Sequence, residues 1–395
     1  MEIRHSSDVN SSESVANSSR FVEDLPQTVS VNLNGDTGQA FDTLGKGDAS
    51  TSFFMPFPTT AASPWLAETR TLMWDWIDEL GLAPAPAARQ HVSRTNPELL
   101  AARWYPSAAR GYLPLLAEFC AWGFIVDDEF DEGALGHSAV LAGQAVGELC
   151  TVLDNGSVAA ASPLGAALGD LWKRATLGRS QGWCRQFAAN IKGWLVTYHR
   201  TALERETDFL PGVEEFREYR QFAVAMHMFM DLAEPVMGID LPDRVRYASA
   251  ILDMRRATAE HVALFNDIVS ARKERGHGFD YNLVLAIERI TQCGTVDAIH
   301  RANSIVTGVV HNFLDARRRM PAELSAAGCD RETITRAQTY ADALVRLIRG
   351  DLDWHLETQR YTHPEELGVG LPEYVPDLFG LRTSGPAHTR ARRAT

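Results

Sequence analysis

From Ser63 onward, apolar residues recur at helical spacing with little interruption. Ser63-Pro64 supplies a cap and a first-turn proline, and Trp65, Leu66, Leu72, Trp74 and Trp76 follow. Stretches dominated by Ala, Leu, Arg and Glu predict helices over 110–131, 136–153, 181–206, 213–235 and 246–275. Further helices are predicted over 280–290, 295–320 and 331–357, and Gly276 is a suitable stop after Glu274-Arg275. Strand signals are nearly absent, since no tight Asn-Gly hairpin joins two alternating runs, and no repeat of solenoid period occurs. Residues 1–55 are rich in Ser, Asn, Asp and Gly with few spaced apolar positions, so a disordered tail is expected there. The segment Phe53 to Pro58 is apolar and Pro-rich and is expected to lie against the core. Residues 376–395, ending in a basic stretch, are expected to form a flexible C-terminal tail. The pattern predicts one all-α domain over 56–375.

Composition adds exclusions. The chain has 395 residues, 45% of them hydrophobic, enough for a sizeable core. No apolar run approaches the roughly 18 residues of a membrane span. No basic-then-apolar leader opens the chain, so a cytoplasmic protein, monomer or homodimer, is expected. A formal net charge of −13 argues against nucleic acid as a general partner. It does not exclude an anionic substrate, because bound metal ions and a few Arg or Lys can reverse the local field. The five cysteines are scattered and never form a CxxC pair, which argues against zinc and a disulfide framework. Buried thiols are expected.

Two short stretches carry the chemistry. Asp127-Asp128-Glu129-Phe130-Asp131 closes the apolar run Ala121-Trp122-Gly123-Phe124-Ile125-Val126. An acidic helix end is ordinarily a solvated face, but here it caps a buried helix. Carboxylates crowded in that way raise one another's pKa unless cations intervene. Asp127 and Asp131, four apart, share a helix face. So do Asn266, Ser270 and Glu274 in Asn266-Asp267-Ile268-Val269-Ser270-Ala271-Arg272-Lys273-Glu274. Asn and Ser are mediocre inside helices, and here they sit after Ala263-Leu264-Phe265. Each face offers only oxygen donors, the choice of Mg2+. Lys273 stands beside the carboxylate, within reach of a phosphate that such ions would bridge.

Together these motifs resemble those of the bacterial class I terpene synthases (terpene cyclases), which pair an Asp-Asp-x-x-Asp motif with an Asn-Ser-Glu triad of this spacing. Arg220 matches the family's diphosphate-sensing Arg, and Arg360-Tyr361 matches its C-terminal Arg-Tyr pair. The similarity spans roughly 55 to 365. The resemblance implies a helical bundle around a central apolar cavity. It also implies three Mg2+ ions, with Mn2+ a partial substitute, held by Asp127, Asn266, Ser270 and Glu274, with Asp128 and Asp131 assisting. Arg220, Lys273, Arg360 and Tyr361 would bind the departing diphosphate. Many relatives carry Gly four residues after the sensing Arg, where this chain has Val224. The run Tyr219-Arg220-Gln221-Phe222 is similar to a subgroup acting on a methylated ten-carbon diphosphate, but that subgroup spaces its first motif differently.

The implied reaction ionises a prenyl diphosphate and cyclises the carbocation, with farnesyl diphosphate the favoured substrate. The twenty-carbon and ten-carbon (or methylated ten-carbon) diphosphates come next. Aromatic faces stabilise cations in a dry pocket. Phe124, one turn before Asp127, and Trp354 are the foremost candidates, ahead of Phe222, Phe229 and Phe265. His355 is read as packing or a hydrogen bond. A chain-elongating prenyl diphosphate synthase would need a second aspartate-rich motif, yet Asp127-Asp128 is the only Asp-Asp in the chain. An inactive lipid-binding helical protein is the alternative of another class, and the intact motifs weigh against it.

Overall fold

A computed structural model describes residues 28–33, 50–131, 133–155, 162–207, 209–276, 281–361 and 378–379. The helices are α1 (Leu66–Glu79), α2 (Pro86–Thr95), α3 (Pro97–Trp104), α4 (Leu113–Asp131), α5 (Ala139–Asn155), α6 (Pro163–Thr176) and α7 (Gln181–Glu206). They continue with α8 (Val213–Arg220), α9 (Met226–Val236), α10 (Asp243–Arg246), α11 (Ser249–Gly276), α12 (Leu283–Thr291), α13 (Thr295–Ala326) and α14 (Arg331–Glu357). Among the described residues, no helix is long and apolar enough to cross a membrane.

Helix α4 explains the arrangement. It is apolar nearly all round, with Phe119, Ala121, Trp122, Ile125 and Val126 buried, so other elements must surround it. It packs against α1, α3 and α6. On the other side of the molecule α11 packs against α13 and α14, and α14 returns to α3. That last contact is close: a Cβ at Gly350 would stand 2.5 Å from the carbonyl oxygen of Arg103. Glycine there lets α14 reach α3 and so brings Trp354 and His355 inward. Side-chain caps fix several helix starts: Ser180 accepts from the amide of Trp183, and Asp330 accepts from Thr333 at 2.8 Å.

The structure departs from the sequence reading in three places. The predicted helix over 213–235 is two helices, α8 and α9, separated by residues 221–225 with Ala225 in the left-handed region at φ 56°. Such a conformation costs a non-glycine residue about 1–3 kcal/mol. The stretch expected to be a disordered tail holds two strands, β1 (Thr28–Asn32) and β2 (Ser50–Phe54), paired antiparallel. The alternation Thr28-Val29-Ser30-Val31 was the signal for the first. Residues 53–59 then run along the core: Phe53, Met55 and Phe57 are buried, Phe53 against Phe265 and Phe57 against Phe313. Thr59 donates to Asp353 at 2.6 Å and Arg349 donates to the carbonyl of Phe57. In the expected C-terminal tail, Leu378 and Phe379 are buried, and Phe379 meets Phe130 edge-on at 5.3 Å. The rest of that tail and most of residues 1–49 lie outside the described residues.

Deleting residues 1–49 is expected to leave a folded, active enzyme, because the described residues it removes are β1 and Leu33, outside the helices. Deleting 1–59 also strips Phe53, Met55 and Phe57 from the core, a loss of about 5 kcal/mol or more. Urea unfolding of the two truncations checks this. Equal stability would show that the segment merely rests on the surface.

Candidate active site

The helices leave a cavity between α3, α4, α7, α11, α14 and the break before α9. Its depth is apolar and aromatic, with Leu100, Trp104, Phe124, Trp194, Phe229 and Val262 on the wall. Its rim is charged. Asp127 and Asp131 arrive from the end of α4, and Asn266, Lys273 and Glu274 from α11. Arg220 ends α8, and Arg360 and Tyr361 follow α14. The two motifs, far apart in sequence, therefore border one space.

The rim carboxylates are close enough to feel each other. Burial, then the charges of Asp127 and Glu274, push Asp131 well above the usual carboxylate range. Glu274 is pushed up to about 7, by burial first and Asp267 second. Bonds from Ser270 and Asn282 oppose that rise. Asn282 caps α12 with its oxygen and reaches Glu274 with its amide nitrogen at 2.9 Å, so the start of one helix positions the carboxylate ending another.

The rim arginines are each oriented by a carboxylate. The Arg220 guanidinium donates to Asp267 at 2.9 and 3.0 Å and to the oxygen of Asn266 at 3.3 Å. Burial opposes its charge, but Asp267 raises its pKa above the ordinary value and holds it charged. Arg360 donates to Asp128 at 2.8 Å, lies 3.5 Å from Asp127 and stands 4.9 Å over the Phe124 ring. Arg205 is 3.7 Å from Asp131. Tyr198 donates to Asp127 at 2.9 Å.

Several sequence expectations change here. Asp128 does not border the cavity; it is buried between Arg360 and His91, the latter at 2.9 Å. These partners hold its carboxyl well below the usual range against the opposing effect of burial. In this arrangement it anchors Arg360. Ser270 is buried beneath the rim, bonded to Glu274. Phe124 and Trp354 do border the cavity, stacked at 5.6 Å, and Phe229 joins them. Phe222 is exposed on the outside against His227, and Phe265 is buried against Phe53 and His355. Sequence reasoning missed Tyr198, His91, Asn282 and Asp267 as partners. Only Asp267 had a signal, its place inside the second motif.

Among the described residues, no three His, Cys, Asp or Glu form a ready-made cage. The donors of the two motifs, Ser270 beneath the rim included, are nevertheless all oxygen, which suits a hard divalent ion.

A family model for terpene synthase family 2, C-terminal metal binding, matches residues 118–312, which contain both motifs. The (2Z,6E)-hedycaryol synthase of Kitasatospora setae is 31% identical over 83% of this chain and 97% of its own length. The chain belongs to the bacterial class I terpene synthases. The (-)-beta-caryophyllene synthase of Saccharothrix espanaensis, (2E,6E)-farnesyl diphosphate cyclizing, is 28% identical over 84% of this chain and 94% of its own. A solved hedycaryol synthase in complex with HEPES superposes with TM-score 0.69 at 31% identity, covering 78% of this chain and 98% of that one. A terpene synthase is a lyase acting on a prenyl diphosphate with the aid of a divalent metal, and the rim and cavity described above belong to such an enzyme.

Asp128→Ala takes from the buried Arg360 its nearest counter-charge, leaving Asp127 at 3.5 Å, and takes from His91 its carboxylate partner. The expected cost is about 3–5 kcal/mol. Asp127→Ala, at a half-buried rim position, should cost about 1 kcal/mol through the lost Tyr198 bond. Metal-free urea unfolding measures both, and equal losses would show that Asp128 is no anchor.

Proposed function

We propose that this terpene synthase ionises farnesyl diphosphate, cyclises the carbocation to a sesquiterpene and releases diphosphate. One observation carries the reading: a rim of oxygen donors and guanidinium groups closes an apolar, aromatic-lined cavity. The farnesyl substrate is supported by the caryophyllene synthase, whose own substrate is named in its description. Longer or shorter prenyl diphosphates remain the alternative.

Asp127 and Asp131 on one side, and Asn266, Ser270 and Glu274 on the other, would hold three Mg2+ ions, with Mn2+ a substitute. Such ions supply Lewis-acid stabilisation of the leaving diphosphate. The chain's own residues do the rest. Arg220 and Arg360, already oriented by Asp267 and Asp128, present fixed positive charge to the diphosphate as it departs. Lys273 adds an ammonium beside Glu274, and Tyr361 a hydroxyl beside Asn266. Deeper in, Phe124, Trp354 and Phe229 exclude water and face the allyl cation with π-electrons. The indole N–H of Trp354 donates to the carbonyl of Thr95, which fixes the ring. Ala223, Val224 and Ala225 in the helix break also border the cavity, so this segment would meet the substrate.

Turnover should stop in excess EDTA. The Glu274 carboxyl, near pKa 7 in the metal-free protein, must lose its proton before it can ligate a cation. Half-saturating Mg2+ is therefore expected to rise as pH falls below about 7, by up to about tenfold per unit, and to level off above it. A flat Mg2+ requirement from pH 5.5 to 8 would remove Glu274 from the ligand set.

Phe124→Ala separates the cation pocket from the rim. Diphosphate release should fall less than the main cyclic product, with more acyclic or monocyclic products and alcohols. Gas chromatography beside a diphosphate assay reads both. An unchanged product ratio in a folded variant would make Phe124 ordinary packing.

A further inference from the structure

The geometry points to His355 as the residue that sets which end of the Asn266 amide faces the metal-binding side of the cavity. This inference rests on the reading of Asn266 as a metal ligand. Asn266 has three polar neighbours. Its oxygen accepts from Arg220 at 3.3 Å, and its nitrogen lies 2.8 Å from the Tyr361 hydroxyl and 3.3 Å from Nε2 of His355. Arg220 can only donate, so the amide oxygen faces it and the amide nitrogen faces His355. Two donors cannot share a bond, so Nε2 carries the lone pair and Nδ1 the proton. Nδ1 indeed meets an acceptor-only group, the carbonyl of Asp351, at 2.9 Å, with the Asp351 carboxylate 3.3 Å away.

The chain of assignments runs from the backbone of α14 to the side chain on α11. The Asp351 carbonyl fixes the imidazole tautomer, and the tautomer fixes the amide. Tyr361 cannot make that choice, because a hydroxyl donates or accepts equally well. Arg220 makes it only while its guanidinium stays on Asn266, and its proposed task is to meet diphosphate. His355 is held independently of the substrate. It is buried, stacked on Tyr361 at 5.2 Å and set edge-on to Phe265 at 5.2 Å. An inverted amide would aim its oxygen at the lone pair of Nε2 and give a cation two hydrogens to meet. His355 is thus a positioning residue for the second motif, of the kind whose loss weakens metal affinity 10- to 100-fold.

The test uses the full-length enzyme, inorganic diphosphate and Mn2+ titrated by electron paramagnetic resonance. Asn carries its amide to the level of Nδ1, and Gln carries it to the level of Nε2. His355→Gln keeps an acceptor for Asn266 and should bind Mn2+ within about threefold of the parent. His355→Asn keeps the Asp351 contact and loses the acceptor. It should weaken one class of Mn2+ sites about tenfold or more, as should His355→Leu. Should His355→Leu fail to fold, the Gln and Asn pair decides. Parent-like Mn2+ binding in His355→Asn, or equal weakening in Gln and Asn, overturns the proposal, the second because it marks plain packing. Asn266→Leu distinguishes the two readings. If it lowers Mn2+ binding while the His355 variants do not, positioning alone fails. If it leaves Mn2+ binding unchanged, Asn266 is no ligand and both readings fall.

Discussion

Carboxylates at the mouth of an apolar cavity impose the constraint on which the rest depends. Water does not reach them freely, so each needs a neighbouring cation or a hydrogen-bond donor to stay ionised. The protein draws those partners from distant parts of the chain. Arg360 comes from beyond the last helix to Asp128, Arg220 from α8 to Asp267, and Arg205 from α7 to Asp131. Because each pair joins separate elements, the charge arrangement also fastens the helices around the cavity. The arginines proposed to meet an anionic substrate, Arg220 and Arg360, are thereby held charged and in place before it arrives, so little reorganisation would be left for the moment of ionisation.

The break between α8 and α9 serves the same end. A continuous helix over 213–235 would satisfy its own backbone and offer the cavity only side chains. Instead Arg220 donates to the carbonyl of Ala223 at 3.2 Å, and residues 223–225 border the cavity. The strained Ala225 is tolerated because α9 behind it is almost wholly buried, from Met226 to Glu234. Val224 precedes it, and the unusual backbone angle falls on Ala225.

The long helices and both motifs were legible because they obey local rules: helical periodicity, and four-residue spacing on one face. The helix break was not legible. Residues 213–235 have good helical composition, and only tertiary burial of α9 makes the turn worthwhile. The partners of Asp128 were not legible for a related reason. Spacing says which residues share a face of α4, but Asp128 lies on the face that meets Arg360 and His91, residues no local pattern could pair with it. Tyr198, Asn282 and His91 carry no signal as single polar residues on helices or at a cap. The short strands stayed hidden because β1 and β2 are each five residues long and far apart in sequence. Phe124 illustrates a subtler gap. Its place on the cavity wall follows from its distance to Asp127, but the guanidinium of Arg360 over its ring does not.

Rim and wall are built from different parts of the same helices, and this separation has a consequence. The rim residues, most of them near helix ends, sit in ion pairs and hydrogen bonds, where one substitution disturbs several charges at once. The wall residues Leu100, Trp194, Phe229 and Val262 are buried within α3, α7, α9 and α11 and border the cavity. Volume-conserving exchanges of that sort usually cost less than about 1.5 kcal/mol. The wall can therefore change shape while ionisation stays intact, which fits a family whose members, at 28–31% identity to this chain, carry the names of different terpenes. On the proposed reading, product choice follows the wall set by α3, α4, α7, α9 and α11, while ionisation follows the rim set by α4, α8, α11 and Arg360-Tyr361.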